Sequence, residues 1–269
     1  MKISFYQPSY SYYNAPKQVT PQKQSSVSAP SFMAGPSCAY KDLVRVRPRK
    51  LACDVISDIE CKNILNRVYL YKDYNKNPLF DIALNRQKYP KVKPNQEGLL
   101  LYAGYGDLSN DMNRFLSRRE MYRMNPKQAE DVIRAFDYSL KKLDEEYGKY
   151  SGIVYRQGFF PLGQQQYIST TTDPVIAATL RGGIYTNKNL EFAIVKAKNG
   201  HKINEFQRKM GSDYAEEEEE ILLHRTSKFR EITEPQGQYL NLKNRFHKLL
   251  ETYAHQEVNP SKIRVFEEI

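Results

Sequence analysis

The sequence predicts an α+β domain with an antiparallel-rich sheet. Apolar residues recur at helical spacing as far as Gly148, and from Ser151 onward short β-prone runs alternate with Gly, Asn, Asp and Pro. Helices first and mostly strands afterwards is the α+β pattern, unlike the strict strand–helix alternation of a parallel sheet. A third observation sets the boundary: residues 1–40 are dominated by Ser, Pro, Gln and Tyr, a composition too poor in aliphatic residues to offset the entropy of ordering. The expected organisation is a disordered tail over 1–40 and one domain over 41–269, long enough for a full core.

The elements follow in order. From Leu51, Val55, Ile56, Ile59, Ile64, Leu65 and Val68 fall close to helical spacing and predict one or two helices. "KYPKVKPNQEG" reads as a Pro-interrupted basic loop, and a second helix opens at Ser109 or Asn110 with Met112, Phe115 and Leu116 on one face. In the third helix, Asn125 caps, Pro126 suits the first helical position, and Ala129, Val132, Ile133, Phe136, Leu140 and Leu143 form the core stripe, ending near Gly148. The strand candidates are "GIVYR", "QQYIST", "LEFAIVKAK", "EEILL", "SKFREI" and "KIRVFEE". A short helix starts at Asp173 and Pro174, and another places Leu242, Phe246, Leu249, Leu250 and Tyr253 on one face. There is no internal repeat.

Composition narrows the function classes. No run of about 18 apolar residues is present to span a bilayer, and the start of the chain lacks a compact apolar signal core, so a soluble protein without membrane insertion is expected. Cys38, Cys53 and Cys61 are odd in number and lack paired CxxC spacing, which suits a reducing cytosol and implies no metal. His201 and His224 stand without ligand spacing and read as ordinary polar residues. The formal net charge of +10 favours an anionic partner: a dinucleotide, nucleic acid or an acidic protein face.

Against that positive balance, "SDYAEEEEEILLHRTSKF" sets five consecutive glutamates directly against an apolar triplet. Five adjacent carboxylates repel one another, and a strand shows alternate residues to opposite faces, so Glu218 and Glu220 share an environment if the backbone is extended. Glu216, Glu217 and Glu219 are expected to face solvent. Earlier strands add "VYRQG" with Arg156 and "YISTTTDP" with Ser169, so one sheet cleft could gather a cation, a hydroxyl and two carboxylates.

In that order and context these stretches resemble the mono-ADP-ribosyltransferase toxins whose signature is Arg, then Ser-Thr-Ser, then Glu-x-Glu, the group of clostridial binary-toxin and cholera-toxin catalytic domains. The likeness covers roughly residues 95–269 and is sharpest from Ile153 to Ile232, with "NDMNRFLSRRE" and "AFDYSLKKL" similar to the helices preceding the family's arginine strand. It implies a mixed or antiparallel β-sandwich around an NAD cleft, with preceding helices. The departures are Thr171 in place of a serine, Gln157 between Arg156 and Gly158, and Leu180 near a spacing where the family often has phenylalanine.

The resemblance assigns roles. Arg156 would bind the phosphates of NAD, for which a guanidinium fork is suited. Ser169 would hold the rotamer of the catalytic Glu220, with Thr170 and Thr171 supporting the strand or the ribose side. Glu220 would hydrogen-bond the ribose and stabilise the oxocarbenium-like centre formed as nicotinamide leaves. Glu218 would orient or deprotonate the incoming nucleophile. Glutamate at that place implies arginine as the favoured acceptor, and Tyr214 is a candidate for acceptor recognition. Phe160, Tyr167 and Tyr185 remain open as walls for nicotinamide.

The implied protein is an NAD-dependent glycosyltransferase that uses NAD as co-substrate without a metal and modifies an acceptor protein. A flexible Ser-rich start is also the texture of bacterial effectors injected into host cytoplasm, so a secreted virulence factor or toxin is expected. The competing readings are NAD hydrolysis on the same fold and a non-catalytic basic module for nucleic acid. Lys and Arg are scattered rather than clustered with aromatic platforms, which ranks nucleic acid below catalysis.

Overall fold

The computed structural model describes residues 56–68, 90–103, 106–117, 125–179, 190–211, 218–254 and 258–269. The chain divides into two units, Met1–Arg47 and Pro48–Ile269, and every described residue belongs to the second. Expectations for the tail, Cys38, Cys53, Leu180, Tyr185, Tyr214, Glu216 and Glu217 lie outside the described residues.

Among the described residues four helices precede the sheet: α1 (Asp58–Val68), α2 (Leu100–Ala103), α3 (Gly106–Leu116) and α4 (Pro126–Tyr147). The longest, α4, starts as its sequence dictates. The Asn125 side chain accepts from the Gln128 backbone, the Gln128 side chain accepts from the Asn125 backbone, and Pro126 loses no useful N–H at the first position. All six residues of the expected stripe are buried. The segment expected as a basic loop instead tightens into a 3-10 turn, Pro94–Leu99, packed on α4. Gly98 permits this, because a Cβ there would stand 2.5 Å from the Ala135 carbonyl oxygen and from Ser139 Oγ. Two helix details differ from periodicity: α3 begins earlier, at Gly106, and Ile59, expected on the apolar face of α1, is 74% exposed.

The later half supplies β1 (Tyr150–Gln157), β2 (Ile168–Thr171), α5 (Pro174–Thr179), β3 (Phe192–Gly200), α6 (Ile203–Met210), β4 (Glu220–Leu223), β5 (Phe229–Glu231), α7 (Gln238–Ala254) and β6 (Ile263–Glu268). Tyr253, expected on the apolar face of α7, is exposed. Among the described residues the strands form one six-stranded sheet in the order β4-β2-β1-β3-β6-β5. Where a sandwich was expected, the described strands make one sheet with helices on one face. Four strand pairings are antiparallel and β3–β6 is parallel, so the sheet is mixed.

Strand alternation divides the core. Val154, Ile168, Val195, Ile221 and Phe266 pack on one face with Phe160. On the other, Tyr155, Ile194 and Val265 pack under α5 and α7, whereas Leu222 packs with α1, α4 and α6. Two groups of helices therefore share one face of the sheet, and residues between Tyr155 and Leu222 lie at their junction.

Candidate active site

Three strands bring the site together. In β2, Ser169 and Thr171 point the same way, and the pairing of Thr171 with Glu220 of β4 puts the glutamate on that face. From β1, the Arg156 guanidinium donates from Nη1 to the Ser169 carbonyl at 2.7 Å and from Nε to the Phe159 carbonyl at 3.2 Å. Asn113 of α3 fixes the start of β2, donating to the Tyr167 carbonyl at 3.0 Å and accepting from its N–H at 2.8 Å.

Glu220 is buried, and its carboxylate is held at both oxygens. Tyr102 of α2 donates its hydroxyl to Oε1 at 3.2 Å, and Gln207 of α6 donates Nε2 to Oε2 at 3.0 Å. Burial pushes the carboxyl above the ordinary carboxylate range, opposed by hydrogen bonds from Ser169, Tyr102 and Gln207 and by the charge of Arg156. Arg156, Ser169 and Glu220, 64 positions apart at their extremes by number (220 − 156), thus act on one another.

Other expected site residues have different jobs. Thr170 points to the opposite face, is buried, and donates its hydroxyl to the Ile221 carbonyl at 2.6 Å, so it is a strand clip rather than an NAD contact. The Thr171 hydroxyl accepts from the Asp173 N–H at 3.1 Å, and Asp173 accepts from Val175, which starts α5; this hydroxyl, too, is turned inward. Phe160 is 2% exposed, stacked on Phe266 with ring centres 4.2 Å apart, and cannot wall a cleft. Its neighbour Phe159 is 55% exposed and borders a pocket of about 180 Å³ with Arg156, Gln157, Pro161, Gln164 and Gln166. Tyr167 is buried with its hydroxyl on Asp137, which removes it as a nicotinamide wall.

Glu218 does not share a face with Glu220 through alternation. The strand starts only at Glu220, and Glu219 before it has φ 42°, a left-handed conformation rare outside glycine. Thr172 stabilises that turn: its hydroxyl donates to the Glu219 carboxylate and its N–H to the Glu219 carbonyl, the latter at 3.3 Å. Glu219 is consequently half-buried and partnered rather than solvent-facing. Glu218 is half-buried as well.

The two histidines, expected as ordinary polar residues, each meet an aspartate, His201 buried and His224 half-buried. His224 Nε2 lies 3.0 Å from Asp137 Oδ1, while the fully buried Arg225 donates from Nε and Nη2 to Asp137 Oδ2 at 3.0 and 2.7 Å. His201 Nδ1 lies 2.8 Å from Asp144, and burial lowers its imidazole pKa, opposed by that carboxylate. No group of three or more His, Cys, Asp or Glu among the described residues could hold a metal ion.

The residues present fit a dinucleotide in kind: a guanidinium and an exposed aromatic ring bordering an open pocket, and a buried carboxylate on which that guanidinium's charge acts. The pocket is large enough for one heterocycle or phosphate group, not the whole molecule.

No protein-family model and no curated protein matches this chain. Among solved structures it is similar to the type III effector XopAI from Xanthomonas axonopodis pv. citri lacking 70 N-terminal residues, with 13% identity, coverage of 80% of this chain and 89% of that one, and a TM-score of 0.42. A second crystal structure of XopAI gives 12% identity, 79% and 82% coverage, and a TM-score of 0.41. At that distance the likeness transfers neither site nor activity.

Proposed function

We propose that this protein is an NAD-dependent mono-ADP-ribosyltransferase that transfers ADP-ribose to a side chain of an acceptor protein, arginine favoured. One observation carries the reading: Arg156 donates to the Ser169 carbonyl, and its charge and the Ser169 hydroxyl both act on the buried Glu220 carboxyl, so three groups each suited to a step of that chemistry come near one another from three strands. Arg156 binds the diphosphate. The bond between ribose C1′ and the nicotinamide nitrogen breaks, nicotinamide leaves with the electron pair, and the ionised Glu220 stabilises the cationic ribose. The acceptor nitrogen then attacks C1′ and gives up a proton, the role the family resemblance gives to Glu218, two residues before Glu220. The Ser-rich start of the chain supports a secreted bacterial effector acting in host cytoplasm; no described helix is long and apolar enough to cross a membrane.

Incubation with labelled NAD and cell lysate tests the reading. A labelled protein band is expected, lost in Glu220→Gln, while Arg156→Ala raises the NAD dissociation constant at least about tenfold through loss of a charge-assisted pair. No band, or one that persists in Glu220→Gln, overturns it. Free ADP-ribose without labelled protein indicates NAD hydrolysis instead.

A further inference from the structure

Gln207 occupies a place that helix periodicity reserves for an apolar residue. Ile203, Phe206, Gln207 and Met210 follow the i, i+3, i+4, i+7 spacing of a core-facing stripe, and Ile203 and Phe206 are fully buried in it. Gln207 is itself buried, at 7% exposure. Its Oε1 has no hydrogen-bond partner. A buried amide oxygen with nothing donating to it is costly, so packing does not account for this side chain. Its Nε2 has one clear task, the 3.0 Å bond to Glu220 Oε2.

That bond completes a two-sided grip. Tyr102 takes the other oxygen, and its ring is stacked on Phe136 at 5.1 Å between centres, which fixes the donor. With Tyr102 of α2 on Oε1, Gln207 of α6 on Oε2 and Ser169 of β2 also bonding the group, the plane of the carboxylate is determined as well as its position. We propose that Gln207 is a positioning residue for Glu220, fixing Oε2 so that the carboxylate plane is set before substrate arrives. Reaction at the ribose requires that orientation to be preorganised, because a carboxylate that rotates away loses the developing positive charge. The inference rests on Glu220 being the reacting carboxylate proposed above.

The test compares the full chain with Gln207→Met, which keeps length and bulk but donates nothing, and with Gln207→Asn, which keeps the carboxamide one methylene short of Glu220. Both are expected to lower kcat for NAD consumption about tenfold or more, with KM for NAD within about twofold, as for an interaction that acts mainly in the transition state. The acid limb of the pH profile moves to higher pH in both, because the ionised Glu220 has lost a donor. A second readout needs no activity: the ¹³C titration of the Glu220 carboxyl, identified by its loss in Glu220→Gln, has a higher midpoint in both variants. An unmoved midpoint in folded Gln207→Met and Gln207→Asn overturns the proposal. Wild type that consumes no NAD, with the midpoint still raised in the variants, instead overturns the assigned reaction and leaves the grip on Glu220 established.

Discussion

Glu220 is destabilising where it stands, and the sign of that effect can be checked. Burial raises its carboxyl above the 4.5 of an exposed glutamate, so between 4.5 and the raised value the folded chain holds a proton that the unfolded chain has released. Stability from this group therefore falls as pH rises through that window, and the deficit persists above it. Glu220→Gln is expected to melt higher than wild type at pH 8, each kcal/mol recovered appearing as about 2–4 °C, with the gap closing near pH 4.5. The amide suits the site, since Gln207 can turn its carboxamide and offer Oε1 to the new donor. Calorimetry at several pH values decides; a variant less stable at every pH contradicts the account. At this scale the sequence reveals residue type better than direction. A cation, a hydroxyl and a carboxylate on β-prone runs in order make Arg156, Ser169 and Glu220 readable as candidates, and their three strands do pair within one sheet. Of the two roles open to Thr170 and Thr171, both support the strand and the turn after it, and Phe160 is buried, because strand phase and the turn after β1 decide which way each points; Phe159 is the open ring. Gln207 had a visible signal, a polar residue in an apolar helical stripe, but nothing local says which carboxylate it meets. Tyr102, 118 positions from Glu220, had none.

One carboxylate ties several elements together. Asp137 of α4 receives the Tyr167 hydroxyl from the residue before β2 and the Arg225 guanidinium from just beyond β4, so the far ends of both site-bearing strands share an anchor. Arg225 is 1% exposed, which makes this a buried ion pair whose disruption strands a charge. Asp137→Asn is expected to cost about 3–5 kcal/mol, a fall of roughly 6–20 °C in Tm. Burial alone would raise the Asp137 carboxyl, but His224 and Arg225 outweigh it and hold it below 3.8. Its stabilisation is therefore fully present above 3.8 and lost as pH falls through the lowered value, so the loss in Asp137→Asn should shrink as pH drops below 3.8 in urea titrations. A loss that did not shrink there in a chain that still folds would contradict this assignment. Helix α4 itself was legible down to its cap, because its stripe and capping box are local. Asp137, His201, His224 and Arg225 were not, since polar residues look solvent-facing until chain segments far apart close over them.

The whole molecule depends on pairings the sequence does not announce. Individual strands could be read from β-prone runs and turn residues, whereas their order could not, because pairing partners are set by contacts across long stretches of chain. The expected antiparallel character held for every pairing except β3–β6, where α7 returns the chain to lie beside β3 in the same direction. That return puts β6 between β3 and β5. A chain truncated at Pro260 lacks it, leaves β3 and β5 with unsatisfied edges, and is expected to pellet on centrifugation rather than unfold cooperatively. A soluble truncated chain with a sharp melt would contradict this. On β6, Val265 joins the cluster beneath α5 and α7 while Phe266 joins the opposite one. During synthesis, both halves of the interior wait for this keystone: the ribosome delivers it after the other five described strands, and its arrival closes the two faces together.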